Sequence, residues 1–244
     1  MFEFLQSDAM QEITKVFMDM HNGFFPGIWE TFYSTVLSTL FAYVIGLPLG
    51  ILLVVGEPGG IRPINSGLMG LINVIVNLLR SVPFLILMIM VLPLSMVVLG
   101  TTIGTPASII PLIIAAFPFV ARMVESSIRE VDKGVIEAAQ AMGASTFQII
   151  WKVMIPESMP SLISGATISL TTILGYGAMA GIIGGGGLGK IAINYGYYRY
   201  NFPVMIIAVV LLIIMVQIFQ SIGTHLAVKN DKRITQRTKR RKTK

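Results

Sequence analysis

An all-α integral membrane protein with five transmembrane helices is what this sequence predicts, on three observations. Of its 244 residues, 54% are hydrophobic and only 12% charged. Mean hydropathy is +0.78, above what soluble domains carry. Four stretches, 31–56, 81–121, 158–189 and 200–224, contain no charged side chain. A helix needs about 20 apolar residues to cross ~30 Å of hydrocarbon, so each stretch holds at least one span.

Residues 1–30 form an extracytoplasmic or interfacial N-terminal segment. Glu3, Asp8, Glu12 and Asp19 stand where a cleavable signal peptide needs a basic region and an apolar core. Phe2, Leu5, Ile13, Val16, Phe17 and Met20 fit an amphipathic helix lying at the interface, and Trp29 suits the aromatic belt. The membrane domain follows over 31–228, with spans at about 31–55, 65–92, 107–125, 160–181 and 203–225. The run 81–121 is too long for one helix and includes a turn, given Pro93, Gly100, Gly104 and Pro106; it joins the apolar segment 63–79. Small residues such as Gly46 and Gly50 allow close helix packing.

The last segment, 229–244, is a basic tail with nine Lys/Arg against Asp231. With that tail in the cytoplasm, fourteen basic residues lie inside and three (Lys15, Lys190 and Arg199) outside, leaving Arg80 within a span; this agrees with the positive-inside rule. The tail reads as a topology anchor on anionic lipid, not as a nucleic-acid site. With no cysteine, disulfides and thiolate metal sites are excluded. No catalytic residue, metal site or cofactor is expected, because short loops leave no room for a soluble catalytic domain.

Two spans carry polar stripes. Ser66, Asn73, Asn77 and Arg80 share a face of the second. Gly165, Ser169, Thr172, Tyr176 and Met179 share a face of the fourth. Such stripes either line a translocation path or bond across neighbouring helices, and both readings stand. Arg80 must face protein or water, because exposure to lipid costs about 2.5–3.5 kcal/mol; its partner is either a substrate carboxylate or a structural group.

Between the third and fourth spans lies a charged island at about 126–157. The third helix continues to about Val131, and Asp132 caps a short new helix that ends at Gly143. Ser145 and Gln148 make a capping box for the next helix, and Pro156 precedes the fourth span. Ala138, Ala139 and Ala141 are small enough to seat this helix in a groove on another protein, with Glu137 supplying a charge for register.

Gly184-Gly185-Gly186-Gly187-Leu188-Gly189-Lys190 satisfies a dinucleotide pattern and nearly a P-loop. Both need a preceding strand and a βαβ unit. Here a membrane span precedes, Ile191 replaces the magnesium-binding Ser/Thr, and no acid follows at the required distance. The run is read as a tightly packed hinge at the outer end of the fourth span.

Glu137-Ala138-Ala139, Gly143 and Val153-Met154-Ile155-Pro156 stand at the spacing of the "EAA" loop, and so resemble importer-type ABC transporter permeases. Arg80-Ser81-Val82-Pro83-Phe84, the Phe117–Glu125 segment and the Gly175–Tyr197 segment are similar to the methionine importer branch of that family. The resemblance covers about 28–228. It implies the type I ABC importer permease fold, with ATPase coupling through Glu137, Ala138, Ala139, Met142, Gly143 and Pro156. The two polar stripes place Asn73, Asn77, Arg80, Ser169, Thr172, Tyr176 and Met179 on the candidate translocation path. The implied partners are an ABC ATPase subunit, an extracytoplasmic substrate-binding protein, a second permease copy and membrane lipid, with no nucleic acid. Methionine, or another small amino acid or peptide, would cross a bacterial inner membrane by alternating access, the ATP being hydrolysed by the partner. The rival class, an ion-gradient-driven secondary amino-acid transporter, usually shows inverted repeats and membrane carboxylates. Five spans allow no even split.

Overall fold

The structure, a computed structural model, describes residues 10–11, 13–19 and 23–231. Phe2, Leu5, Met20 and the basic tail from residue 232 onward lie outside them. Among the described residues every regular element is helical. They are α1 (Phe24–Val55), α2 (Ser66–Ser81), α3 (Phe84–Leu99), α4 (Thr105–Arg129), α5 (Lys133–Ala141), α6 (Thr146–Ile149), α7 (Ile155–Ala180), α8 (Gly187–Ile191) and α9 (Phe202–Asn230).

Among the described residues, four helical stretches are long and apolar enough to cross a membrane: α1, α4, the continuous Thr146–Ile183 stretch and α9. A fifth span requires α2 and α3 together, and these are bent by 108°. The expected helix over 65–92 is therefore broken. Val82-Pro83 breaks it: proline has no N–H to donate and its ring pushes the preceding residue out of the helical region. α3 then runs to Gly100, whose left-handed conformation (φ 73°) closes it, with its N–H bonded to Met96 O.

The chain divides into two compact units. The first comprises Met1–Phe41, Val82–Ala116 and Leu170–Ile218. Its core includes Phe24, Met88, Leu112, Ile173 and Leu188. Ser95 Oγ donates to Ala107 O at 2.8 Å, and Gly104 N to Gly184 O at 2.8 Å. Val16 is buried in this unit, and Phe17 packs against Phe24 with ring centroids 4.8 Å apart.

The second unit comprises Ala42–Ser81, Phe117–Ser169 and Phe219–Lys244. Its core gathers Leu53, Val76, Val120, Val124, Ile128, Ile149 and Met154. The close packing expected at Gly50 is present: a Cβ there would lie 2.5 Å from Ala121 O and 2.6 Å from Val124 Cβ.

Candidate functional site

The charged island folds as its local sequence dictates. Asp132 is extended and its side chain accepts from Gly134 N at 2.7 Å, starting α5. At the far end, Gly143 N donates to Gln140 O and Ala144 N to Ala139 O, with Gly143 at φ 77°. This closes α5 with the paired bonds of a Schellman turn, in a conformation a side chain would strain. The capping box then forms as expected: Gln148 N donates to Ser145 Oγ at 3.4 Å, and Ser145 N to Gln148 Oε1 at 2.8 Å.

A π-helical turn, Ile150–Met154, joins α6 to α7 immediately before Pro156. Ile155 N reaches back five residues to Ile150 O. Widening the helix there relieves the crowding that a proline ring imposes on the carbonyl four residues earlier. Pro156 therefore sets the geometry of the joint, half-buried at the start of α7.

The short helix has a clear inside and outside. Ala139 is only 4% exposed and faces the chain's own core, so it is not available to seat in another protein's groove. That expectation is corrected by the 3.6-residue helical period: a residue one position from the outward Ala138 turns ~100° away. Val135, Ala138 and Met142 form the outward stripe, with Met142 81% exposed. Glu137 is also exposed and, with Lys133, Ile136, Gln140, Glu57 and Met154, lines a cleft of about 310 Å³. Phe147 and Trp151 extend the exposed apolar surface as an edge-on pair, 6.2 Å apart.

The roots of this element are held by charges. Arg129 at the end of α4 donates from Nη1 and Nη2 to the two oxygens of Glu57, and from Nη2 to Glu125 Oε1 at 2.9 Å. Arg122, about two turns earlier, donates to Glu125 Oε2 at 2.6 Å and from Nη2 to both Asn73 Oδ1 and Asn77 Oδ1, at 2.8 and 2.9 Å. Ser161 Oγ lies 3.1 Å from Ser127 Oγ and donates to Glu130 Oε1 at 3.0 Å.

This network decides much about the polar stripes. Asn73 and Asn77 serve as acceptors that orient Arg122. Arg80, three residues beyond Asn77, is exposed and has no hydrogen-bond or ion-pair partner among the described residues. Ser169 is fully buried, its hydroxyl bonded to Gly165 O at 2.8 Å within its own helix, so it faces no open path in this structure. Tyr176 stacks on Phe84 with centroids 4.1 Å apart and planes 6° from parallel. Thr172 is half-buried, whereas Met179 is 49% exposed.

Sequence reasoning missed Arg122 as the hub and the Arg129–Glu57 pair. The one signal available was that both arginines bracket Glu125 at helical spacing. It also missed Glu30, the last acid before the first charge-free run. The Glu30 carboxylate accepts from Gly187 N at 2.6 Å and Thr105 Oγ at 2.8 Å, and Leu188 N donates to Thr31 Oγ at 2.9 Å. The glycine run is thus bound to the start of α1. Its preceding element is α7, so neither nucleotide pattern has the strand it requires.

Comparison with known proteins follows the same direction. The sequence model of the family described as binding-protein-dependent transport system inner membrane component matches residues 46–233. The probable D-methionine transport system permease protein MetI of Vibrio cholerae is 46% identical over 208 residues, covering 84% of this chain and 91% of its own length. The D-methionine transport system permease protein MetI of Escherichia coli K12 is 48% identical over 155 residues, covering 64% of this chain and 71% of its own length. Among solved structures, a chain of the MetNI methionine ABC transporter in an inward-facing conformation superposes with a TM-score of 0.83 at 46% identity, covering 85% of this chain and 95% of that one. A chain of an amino acid ABC transporter solved with histidines shares the fold, with a TM-score of 0.71 at 19% identity.

Proposed function

This chain belongs to the family of binding-protein-dependent transport system inner membrane components, and on that premise we propose that it carries methionine, or a similar small amino acid or peptide, across the bacterial inner membrane. It does so as the permease of an ATP-driven importer and is not itself an enzyme. It works as two copies with a separate ABC ATPase and an extracytoplasmic substrate-binding protein. The observation that carries the substrate is the 46% identity over 208 residues with a D-methionine permease.

The basic tail and the charged island lie in the cytoplasm, and the N-terminus lies outside, an orientation supported by the distribution of Lys and Arg. The extracytoplasmic segment, the membrane domain and the basic tail then meet three different surroundings.

Coupling runs through the island. The outward stripe of α5, Ala138 and Met142 with Val135, meets the ATPase, while Glu137 at the cleft fixes register. Gly143 and Pro156 keep both ends of the element stiff, and Ala139 holds it to the permease. A displacement imposed on a capped helix with rigid flanks reaches the spans, whereas a slack loop would absorb it. ATP binding draws the two copies toward an outward-open state and hydrolysis resets them, each step requiring that the ligand prefer one state. Within the membrane, Thr172, Tyr176, Met179 and Arg80 are the path candidates. Asn73 and Asn77 act there through Arg122, and Ser169 supports the helix from behind.

The test is methionine uptake in proteoliposomes containing this chain, its ATPase and its binding protein, with Glu137→Lys in parallel. Uptake that needs ATP and collapses in the folded variant supports the reading. ATP-independent uptake would move the protein to the ion-gradient class. ATP turnover without methionine uptake would keep the machine and discard the cargo.

A further inference from the structure

Beside the glycine run, at the start of α1, is a cavity of about 90 Å³ whose chemistry the transport cycle does not use. It is lined by Glu30, Lys190, Asn194, Tyr195 and Arg199, with Gly27 on the α1 side. Lys190 and Arg199 have no acidic partner among the described residues. The Arg199 guanidinium sits 4.6 Å over the Tyr195 ring, an interaction that positions it while leaving its N–H donors uncommitted. Both donors to Glu30 go to Oε2, so Oε1 keeps its acceptor capacity. The cavity therefore presents two cations and one carboxylate with a free oxygen.

Aromatic residues mark its depth. Trp29, adjacent to Glu30, is exposed and clusters with Phe32 and Tyr33 at 5.9 and 6.1 Å. On the other flank Tyr197, Tyr198 and Tyr200 are exposed, and Tyr200 reaches 92% exposure from a left-handed backbone (φ 56°) unusual for a bulky residue. Exposed Trp and Tyr gather where a membrane protein meets lipid headgroups. A volume of about 90 Å³ suits a small polar group and not an acyl chain.

We propose that this cavity binds the zwitterionic headgroup of a phospholipid bearing a primary ammonium, such as phosphatidylethanolamine. Its phosphate meets Lys190 and Arg199, and its ammonium meets Glu30 Oε1 and Asn194. A quaternary ammonium has no N–H for Glu30, and a glycerol headgroup brings no charge to it. The proposal needs only the membrane-spanning fold, so it stands or falls apart from the transported cargo.

Native mass spectrometry of the full chain in mild detergent tests it, titrating phosphatidylethanolamine, phosphatidylcholine and phosphatidylglycerol with identical acyl chains. Phosphatidylethanolamine should bind about tenfold more tightly than the other two, the factor one charge-assisted hydrogen bond supplies. The Lys190→Gln/Arg199→Gln pair should weaken all three lipids about equally, whereas Glu30→Gln, which keeps an acceptor for Gly187 N and Thr105 Oγ, should erase the preference while helicity and elution volume stay unchanged; Asn194→Leu covers the case in which Glu30→Gln misfolds. Equal binding of the three lipids by the unaltered chain would overturn the proposal. So would a preference that survives in folded Glu30→Gln and Asn194→Leu, or displacement of the lipid by millimolar free methionine, which would make the site one for amino-acid zwitterions.

Discussion

Arg129 and Glu57 meet through two parallel hydrogen bonds, Nη1 to Oε1 at 2.8 Å and Nη2 to Oε2 at 2.7 Å, across 72 positions of sequence. The pair joins the loop after α1 to the last residue of α4, the point from which the charged island hangs. Its side chains are 44% and 33% exposed, so water screens it and its share of global stability is modest, about 0.2–1 kcal/mol. Its geometry matters more, since a planar guanidinium on a carboxylate fixes orientation as well as distance.

Arg129→Met should therefore leave the thermal midpoint nearly unchanged but lower methionine uptake per ATP hydrolysed. Arg129→Lys should recover little, because an ammonium cannot make the paired contact. Simultaneous measurement of hydrolysis and uptake in proteoliposomes checks this; unchanged stoichiometry in Arg129→Met would remove the pair from the coupling route.

Arg122 is a different case. Its side chain is only 20% exposed, it holds Asn73, Asn77 and Glu125 together, and its buried Nε has no partner. Arg122→Met should cost roughly 1–3 kcal/mol, less than the 3–5 kcal/mol of a fully buried pair because Glu125 retains Arg129. Asn73→Leu and Arg122→Met should be strongly non-additive, which a double-mutant cycle of unfolding in detergent reads directly.

Neighbouring alanines should part company. Ala139→Leu overpacks a buried site, with an expected cost of about 1–3 kcal/mol and reduced yield of folded protein. Ala138→Leu points outward and should fold normally, yet recover several-fold less ATPase on co-purification. Normal ATPase recovery with Ala138→Leu would show that the partner does not touch this stripe.

Glycines should sort by surroundings. A Cβ at Gly186 would run into Thr105 Oγ and the Glu30 carboxylate, so Gly186→Ala should disrupt the α1 to glycine-run contact and lower the thermal midpoint. Gly177 lies inside α7 with nothing within 4 Å of an added Cβ. Gly177→Ala should raise stability by about 0.5–1 kcal/mol through helix propensity. Thermal unfolding of both variants, side by side, is the measurement.

The sequence by itself determined membrane residence, the all-helical class and the caps of the charged island. These depend on run length and on contacts spanning a few residues, as at Asp132, Gly143 and Ser145–Gln148. The break at Pro83 was legible too, since proline's missing donor acts locally, but apolarity alone carries an expected span through it. Tertiary structure decided which face each polar residue shows. Ala138 and Ala139 are the same residue type side by side, yet one faces outward and the other the core. Asn73 and Asn77 share a face with Arg80, yet it is Arg122, nearly fifty positions away, that takes their oxygens. Glu30 and the glycine run are 157 positions apart. Such pairings are set by the packing of the whole chain, because a buried charge or carbonyl accepts whichever partner the fold brings within hydrogen-bonding distance.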